Sequence, residues 1–94
     1  MMKRKTIEFI NTYEKGKIVF FREADFDFTK YNTLVKVIID KKNSYKFNLE
    51  NEIIKNNQVQ KSVFELPITG KFIYIEIEAN FDLEKIRIEL LENI

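Results

Sequence analysis

The clearest alternation of apolar and polar residues lies near the C-terminus, between Gly70 and Ala79. One set of residues, rich in β-branched side chains, recurs at every second position, and aromatic and acidic residues fill the positions between. This period of two is typical of a strand that buries one face. The buried set is Ile73, Ile75, Ile77 and Ala79, and the opposite set is Phe72, Tyr74, Glu76 and Glu78. The stretch therefore predicts a strand with one dry face and one mixed face.

Shorter versions of the same pattern predict six more strands, separated by polar segments. The expected strands are 5–13, 18–24, 33–40, 44–50, 58–66 and 83–94. Segments 14–17 and 40–43 have the polar, turn-forming composition of hairpin connections. Longer loops are expected at 25–32, with Phe26 and Phe28 closing one end of the core, and at 51–57.

The last of these segments also fits a helix. Leu83, Ile86, Leu90 and Ile94 mark a helical face, and Asp82 suits an N-cap. The strand interpretation is favoured because Lys85, Arg87 and Glu89 then form one polar face. A tight turn at 80–82 predicts a hairpin with strand 70–79. In its alternation this pair of segments resembles the closing hairpin of jelly-roll, galactose-binding-like modules; the resemblance transfers no functional residue.

Seven short strands at a spacing of about ten residues predict an all-β fold. The expected architecture is an antiparallel β-sandwich, jelly-roll or immunoglobulin-like, with a small barrel as the alternative. The length of 94 residues fits one domain spanning 1–94. A domain of this size has little surplus stability for a deep internal cavity, so a surface site is expected.

The amino-acid composition excludes several kinds of chemistry. The chain has no Cys, no His and no Trp, so thiol chemistry, Cys-ligated metals and the commonest general base are absent. We therefore expect no enzymatic activity, no catalytic residues, no bound metal and no cofactor. The net charge of +1 lacks the broad basic field of a typical nucleic-acid binder.

We expect no signal peptide and no transmembrane segment. The basic start at 3–5 is followed by Glu8 and Asn11 where a signal peptide needs an apolar run, and no stretch is long enough to span a bilayer. A cytoplasmic or virion-associated location is expected. Abundant Lys, Asn, Ile, Glu and Phe beside two Ala are typical of an AT-rich genome, such as that of a low-GC bacterium or its phage.

Three groups of side chains are candidate chemical sites. Glu23, Asp25 and Asp27 offer oxygen ligands for calcium but lack the full loop signature. Glu76, Glu78 and Glu89 are acid–base candidates, although pairing with Lys85 and Arg87 on an exposed face is the simpler interpretation. The third group is a basic patch that would bind single-stranded nucleic acid beside Phe21 or Tyr31. Its members are Lys3, Arg4, Lys5, Lys41, Lys42 and Lys46.

The aromatic residues provide the strongest functional hypothesis. Nine Phe and four Tyr exceed what one small core needs, which leaves some for an exposed strip that contacts a partner. The expected interaction surface comprises Phe72, Tyr74, Glu76, Phe21 and Tyr31. The leading hypothesis is a non-enzymatic protein-interaction or assembly module, structural or accessory, that binds a protein partner or self-associates. The alternatives are a sandwich that binds carbohydrate or another small ligand and a barrel that binds single-stranded nucleic acid.

Overall fold

The computed structural model describes residues 2–22, 33–49 and 60–93. These residues form seven β-strands and one 3-10 turn at Leu83–Lys85. The all-β expectation is confirmed. The strands are β1 (Lys3–Ile10), β2 (Lys17–Arg22), β3 (Thr33–Ile39), β4 (Asn43–Asn48), β5 (Gln60–Glu65), β6 (Phe72–Ala79) and β7 (Ile86–Leu91).

The strands form two antiparallel sheets. One sheet has four strands in the order β1-β6-β3-β4, and the other has three in the order β5-β2-β7. The strand predicted from residues 70–79 is β6, which lies between β1 and β3. This strand has the expected buried face and the expected outward face, because Ile73, Ile75 and Ile77 are buried whereas Phe72 is exposed.

The core lies between the two sheets, as in a β-sandwich. Fully buried side chains come from both sheets, among them Phe20 of β2 and Ile75 of β6. The ring of Phe20 meets Phe47 of β4 edge-on, with centroids 6.2 Å apart. At one side of the sandwich Phe47 stacks on Phe64 of β5 at 4.5 Å. At the other side Lys5 Nζ of β1 donates to the Ile86 carbonyl oxygen, 3.3 Å away, at the start of β7.

Two of the strand pairs are the same as in immunoglobulin sandwiches. In those domains the second strand pairs with the fifth and the third with the sixth. The pairs β2–β5 and β3–β6 are the same here. The other strands are placed differently, however, because β1 pairs with β6, β7 pairs with β2 and β4 pairs with β3.

One predicted hairpin is confirmed, and it joins β3 to β4. Its turn places Asp40 and Lys41 at positive φ values of 53° and 59°, and the Lys42 amide donates to the Ile39 carbonyl oxygen at 3.1 Å. Such left-handed residues match the right-handed twist of the paired strands. The Asp-Lys-Lys-Asn composition of residues 40–43 is typical of a turn with left-handed backbone conformations.

The other two predicted hairpins were wrong. Segment 14–17 carries the chain from β1 into the opposite sheet, where β2 pairs with β5 and β7. Residues 80–85 make a similar crossing after β6, because β1 and β3 already occupy both sides of that strand. Asp82 Oδ1 accepts from the Glu84 amide at 3.0 Å and so caps the 3-10 turn. The strand interpretation of the C-terminal segment is confirmed over Ile86–Leu91.

Candidate interaction surface

The outward face of the four-stranded sheet, hereafter the outer face, carries most of the candidate residues. Strand registers align its side chains in four rows that run across the sheet. Two rows are mainly charged and polar and contain one exposed apolar residue, Leu34. They are Arg4, Glu78, Leu34, Asn48; and Thr6, Glu76, Lys36, Lys46. The other two are more apolar: Glu8, Tyr74, Ile38, Ser44; and Ile10 beside Phe72. The outer face is thus divided into a charged end and an apolar end.

The apolar end consists of Ile10, Ile38, Phe72 and Tyr74. Ile10 lies directly across from Phe72, and these side chains are 66% and 52% exposed. Tyr74 and Ile38 form the adjacent cross-strand pair and are half-buried. Together with Glu8 and Lys41 they line a surface groove of about 640 Å³. Clustered exposed apolar side chains with a polar rim are a feature of protein-interaction sites.

Asp40 fixes the position of Phe72 at the start of β6. Its Oδ1 accepts from the backbone amides of Lys71 at 3.0 Å and Phe72 at 2.9 Å. Its own amide donates to the Phe72 carbonyl oxygen at 2.8 Å. The two amide donors lower the pKa of Asp40, the Phe72 bond being the larger cause. The β3–β4 turn therefore holds the backbone beneath the exposed Phe72 ring.

Asn11 holds the same segment from the other side. Its buried side chain donates from Nδ2 to the Gly70 carbonyl oxygen at 3.0 Å and accepts from the Tyr13 amide at 3.0 Å. Its amide donates to the Lys71 carbonyl oxygen at 2.7 Å. Hydrogen bonds from the ends of both neighbouring strands therefore hold the backbone of residues 70–72. A surface that is already ordered loses less entropy on binding.

The charged end is organised by Arg4. Its Nε lies 3.0 Å from Oε1 of both Glu76 and Glu78, and its Nη2 donates to Glu78. The hydrogen bond to Glu78 and the charge of Glu76 raise the pKa of Arg4, so the guanidinium stays charged. Toward the other edge of the sheet the outward charges are Lys36 and Lys46. The acidic groups thus lie on β6 and the basic amines on β3 and β4.

The structure brings together three of the five residues expected in the interaction surface. Phe72, Tyr74 and Glu76 lie on the outer face. Phe21 lies in the other sheet, where it pairs across from Arg87, whose guanidinium carbon lies 4.4 Å from the ring centroid. Tyr31 lies outside the described residues. Ile10 and Ile38 join the surface although sequence reasoning missed them.

Of the three acid–base candidates, Glu76 and Glu78 lie together beside Arg4, but Glu89 does not join them. Glu89 lies on β7, in the opposite sheet from Glu76 and Glu78, and Arg87 pairs with it at 3.6 Å. The expected pairing of Glu76 and Glu78 with Lys85 and Arg87 was therefore wrong, because the chain changes sheets after β6.

The suggested basic patch is not continuous in the described structure. The basic residues Lys3–Lys5 and Lys41–Lys42 lie near opposite ends of the four-stranded sheet, about 20 Å apart at the rise of a strand. The suggested calcium ligands Glu23, Asp25 and Asp27 lie outside the described residues. Within 2–22, 33–49 and 60–93, no group of three or more acidic side chains is placed to hold a metal ion.

No family model, curated protein or solved structure matches this chain. Among the residues that the structure describes, no helix has the length and apolar character needed to cross a bilayer.

The Asp40 contacts predict a pH dependence of stability. Since the folded-state pKa lies below the unfolded value of about 3.9, the stabilising contribution is full above about pH 4 and is lost as pH falls through the folded pKa. Asp40→Asn keeps an acceptor and tolerates positive φ but does not titrate. We expect wild type to exceed this variant in unfolding free energy at neutral pH, with the difference shrinking in acid. Urea denaturation across that range measures it, and a constant difference contradicts the prediction.

Proposed function

We propose that this protein is a non-enzymatic interaction module that binds a protein partner through the outer face of the four-stranded sheet. One observation supports the proposal above all: Phe72 and Ile10 form an exposed apolar pair, and hydrogen bonds from Asp40 and Asn11 hold the backbone at residues 70–72. Exposed apolar groups are costly in water, and aromatic side chains on rigid elements are frequent anchors of binding surfaces.

The shape of the surface also favours a protein partner. The groove is open and lies across neighbouring strands of one continuous sheet. Four strands at about 4.8 Å and seven residues at about 3.3 Å give a face of roughly 19 by 23 Å. A face of this size suits a weak or transient protein contact better than the near-complete enclosure of a small ligand.

The proposal is tested with tagged wild type, Phe72→Ser and Leu91→Ser as baits in an extract of the source cells. Leu91 is the matched control, because it is an exposed apolar residue at the edge of the opposite sheet. We expect wild type and Leu91→Ser to retain the same protein and Phe72→Ser to lose it. Calorimetry with that purified protein should show at least about a tenfold weaker affinity for Phe72→Ser, as for a central aromatic anchor.

Retention that does not depend on Phe72 would contradict the proposed surface. The same three variants should be titrated with oligosaccharides and single-stranded oligonucleotides. Saturable, Phe72-dependent binding of a sugar, or binding that weakens steeply with salt, would replace the protein partner with one of those ligands.

A further inference from the structure

The charge pattern of the outer face is complementary to itself. Across the sheet, Arg4 of β1 is followed by the acidic side chains of β6 and then by the basic side chains of β3 and β4. Along the strands the charged rows occupy one end and the apolar rows the other. A second copy can pack face to face on this sheet so that Glu76 meets a basic side chain and the two apolar ends meet each other. This requires a two-fold axis parallel to the strands.

The register determines which residues would then meet. Rotation about an axis between β6 and β3 keeps every row at its own level and places each β6 over the partner's β3. Glu76 faces the partner's Lys36, and the same contact recurs by symmetry. Tyr74 likewise faces the partner's Ile38. Tyr74 thus covers an apolar group and Glu76 meets an opposite charge, as an isologous interface requires. Glu78, which is paired with Arg4 of its own chain, lies over the partner's Leu34.

The other face-to-face arrangement is much poorer. An axis that runs across the strands would reverse the order of the rows. Glu78 would then cover the partner's Phe72, and Lys36 would cover the partner's Ile38. Both contacts bury a charge against an apolar side chain, which is unfavourable.

We propose, on the basis of the proposed function, that the partner bound by the outer face is a second copy of this chain, related by a two-fold axis parallel to the strands. The pair encloses Phe72 and Tyr74 at one end and forms two reciprocal Glu76–Lys36 contacts at the other. The small face makes this a weak dimer whose population depends on concentration. It buries the apolar end without any other macromolecule.

The test uses reciprocal charge reversals. Glu76→Lys and Lys36→Glu each create two like-charge contacts in the dimer, so each variant alone should self-associate about tenfold more weakly than wild type. An equimolar mixture restores Glu–Lys contacts at both positions and should recover the wild-type mass. Sedimentation of the full chain over a wide concentration range, at physiological ionic strength, measures this.

Lys46→Glu is the control for non-specific attraction between oppositely charged variants. It reverses a charge in the same row, but the proposed geometry places it opposite Thr6 rather than a carboxylate. Mixing it with Glu76→Lys should recover much less association. Circular dichroism of each variant should show the strand spectrum of wild type.

A wild-type chain that stays monomeric overturns the dimer, as does a mixture no more associated than its components. If Phe72-dependent retention of another protein persists in that case, the proposed function stands and only the identity of the partner is wrong. If neither dimer nor retained protein is found, the outer face is not an interaction surface.

Discussion

Gly70→Ala is expected to lower the free energy of unfolding by about 3 kcal/mol, at the upper end for overpacking a core. A Cβ at this position would lie 2.1 Å from Ile39 Cγ2 and 3.0 Å from Asp40 Oδ2. Gly70 is buried between the end of β3 and the start of β6, so the added methyl group cannot turn toward solvent. Urea denaturation at neutral pH measures the loss.

The second glycine provides the control. At Gly16 the nearest atoms to an added Cβ are Leu90 Cδ1 and the Leu91 carbonyl oxygen, both at 3.3 Å, and the leucine end can rotate away. Gly16→Ala should therefore cost clearly less than Gly70→Ala. In an Ile39→Ala background the Gly70→Ala penalty should shrink, because the clashing Cγ2 is gone. Equal penalties at the two glycines would contradict the close approach at Gly70.

Gly70 also connects stability to the proposed surface. Its carbonyl oxygen accepts from Asn11, and an added Cβ would press on the Asp40 carboxylate that holds Phe72. The residues that allow the tight approach of β3 and β6 are therefore the ones that position the exposed ring. A variant that loosens this junction should weaken partner binding even though Phe72 itself is unchanged.

Local patterns in the sequence identified strands but did not assign them to sheets. The alternation in 70–79 and the turn-forming residues at 40–43 predict β6 and the β3–β4 hairpin because both depend on neighbours in sequence. The connections near Gly16 and Asp82 look like hairpin turns, yet each crosses between sheets. Sheet assignment depends on which strands can cover one another's apolar faces, and that is a property of the whole chain.

In the candidate surface too, local alternation predicts single residues, whereas strand pairing determines which residues cluster. Phe72, Tyr74 and Glu76 were predicted because alternation alone places them opposite the buried isoleucines. Ile10 and Ile38 were missed, although strict alternation along β1 and β3 places each on the polar face. They become a cluster only through the pairing of β1 and β3 with β6. The contacts of Arg4 with Glu76 and Glu78 depend on that same pairing between the two ends of the chain.

Alanine substitutions at the adjacent residues Phe20 and Phe21 test which side of β2 faces the core. Phe20 is fully buried and meets Phe47 of the other sheet, whereas Phe21 is half-buried on the opposite face beside Arg87. Phe20→Ala should lower the free energy of unfolding by about 4 kcal/mol, since it leaves a cavity between the sheets. Phe21→Ala should cost about 1 kcal/mol, mainly through the lost cation–π contact and partial burial.

Thermal and urea unfolding of the two variants measure this difference directly. A shift of one residue in the register of β2 would exchange the two side chains and reverse the order of the penalties. Similar penalties would instead indicate that both faces of β2 are packed equally, as in a strand covered on both sides. Only a much larger loss for Phe20→Ala agrees with a core that lies between β2 and the four-stranded sheet, and that core supports the backbone from which Phe72 projects.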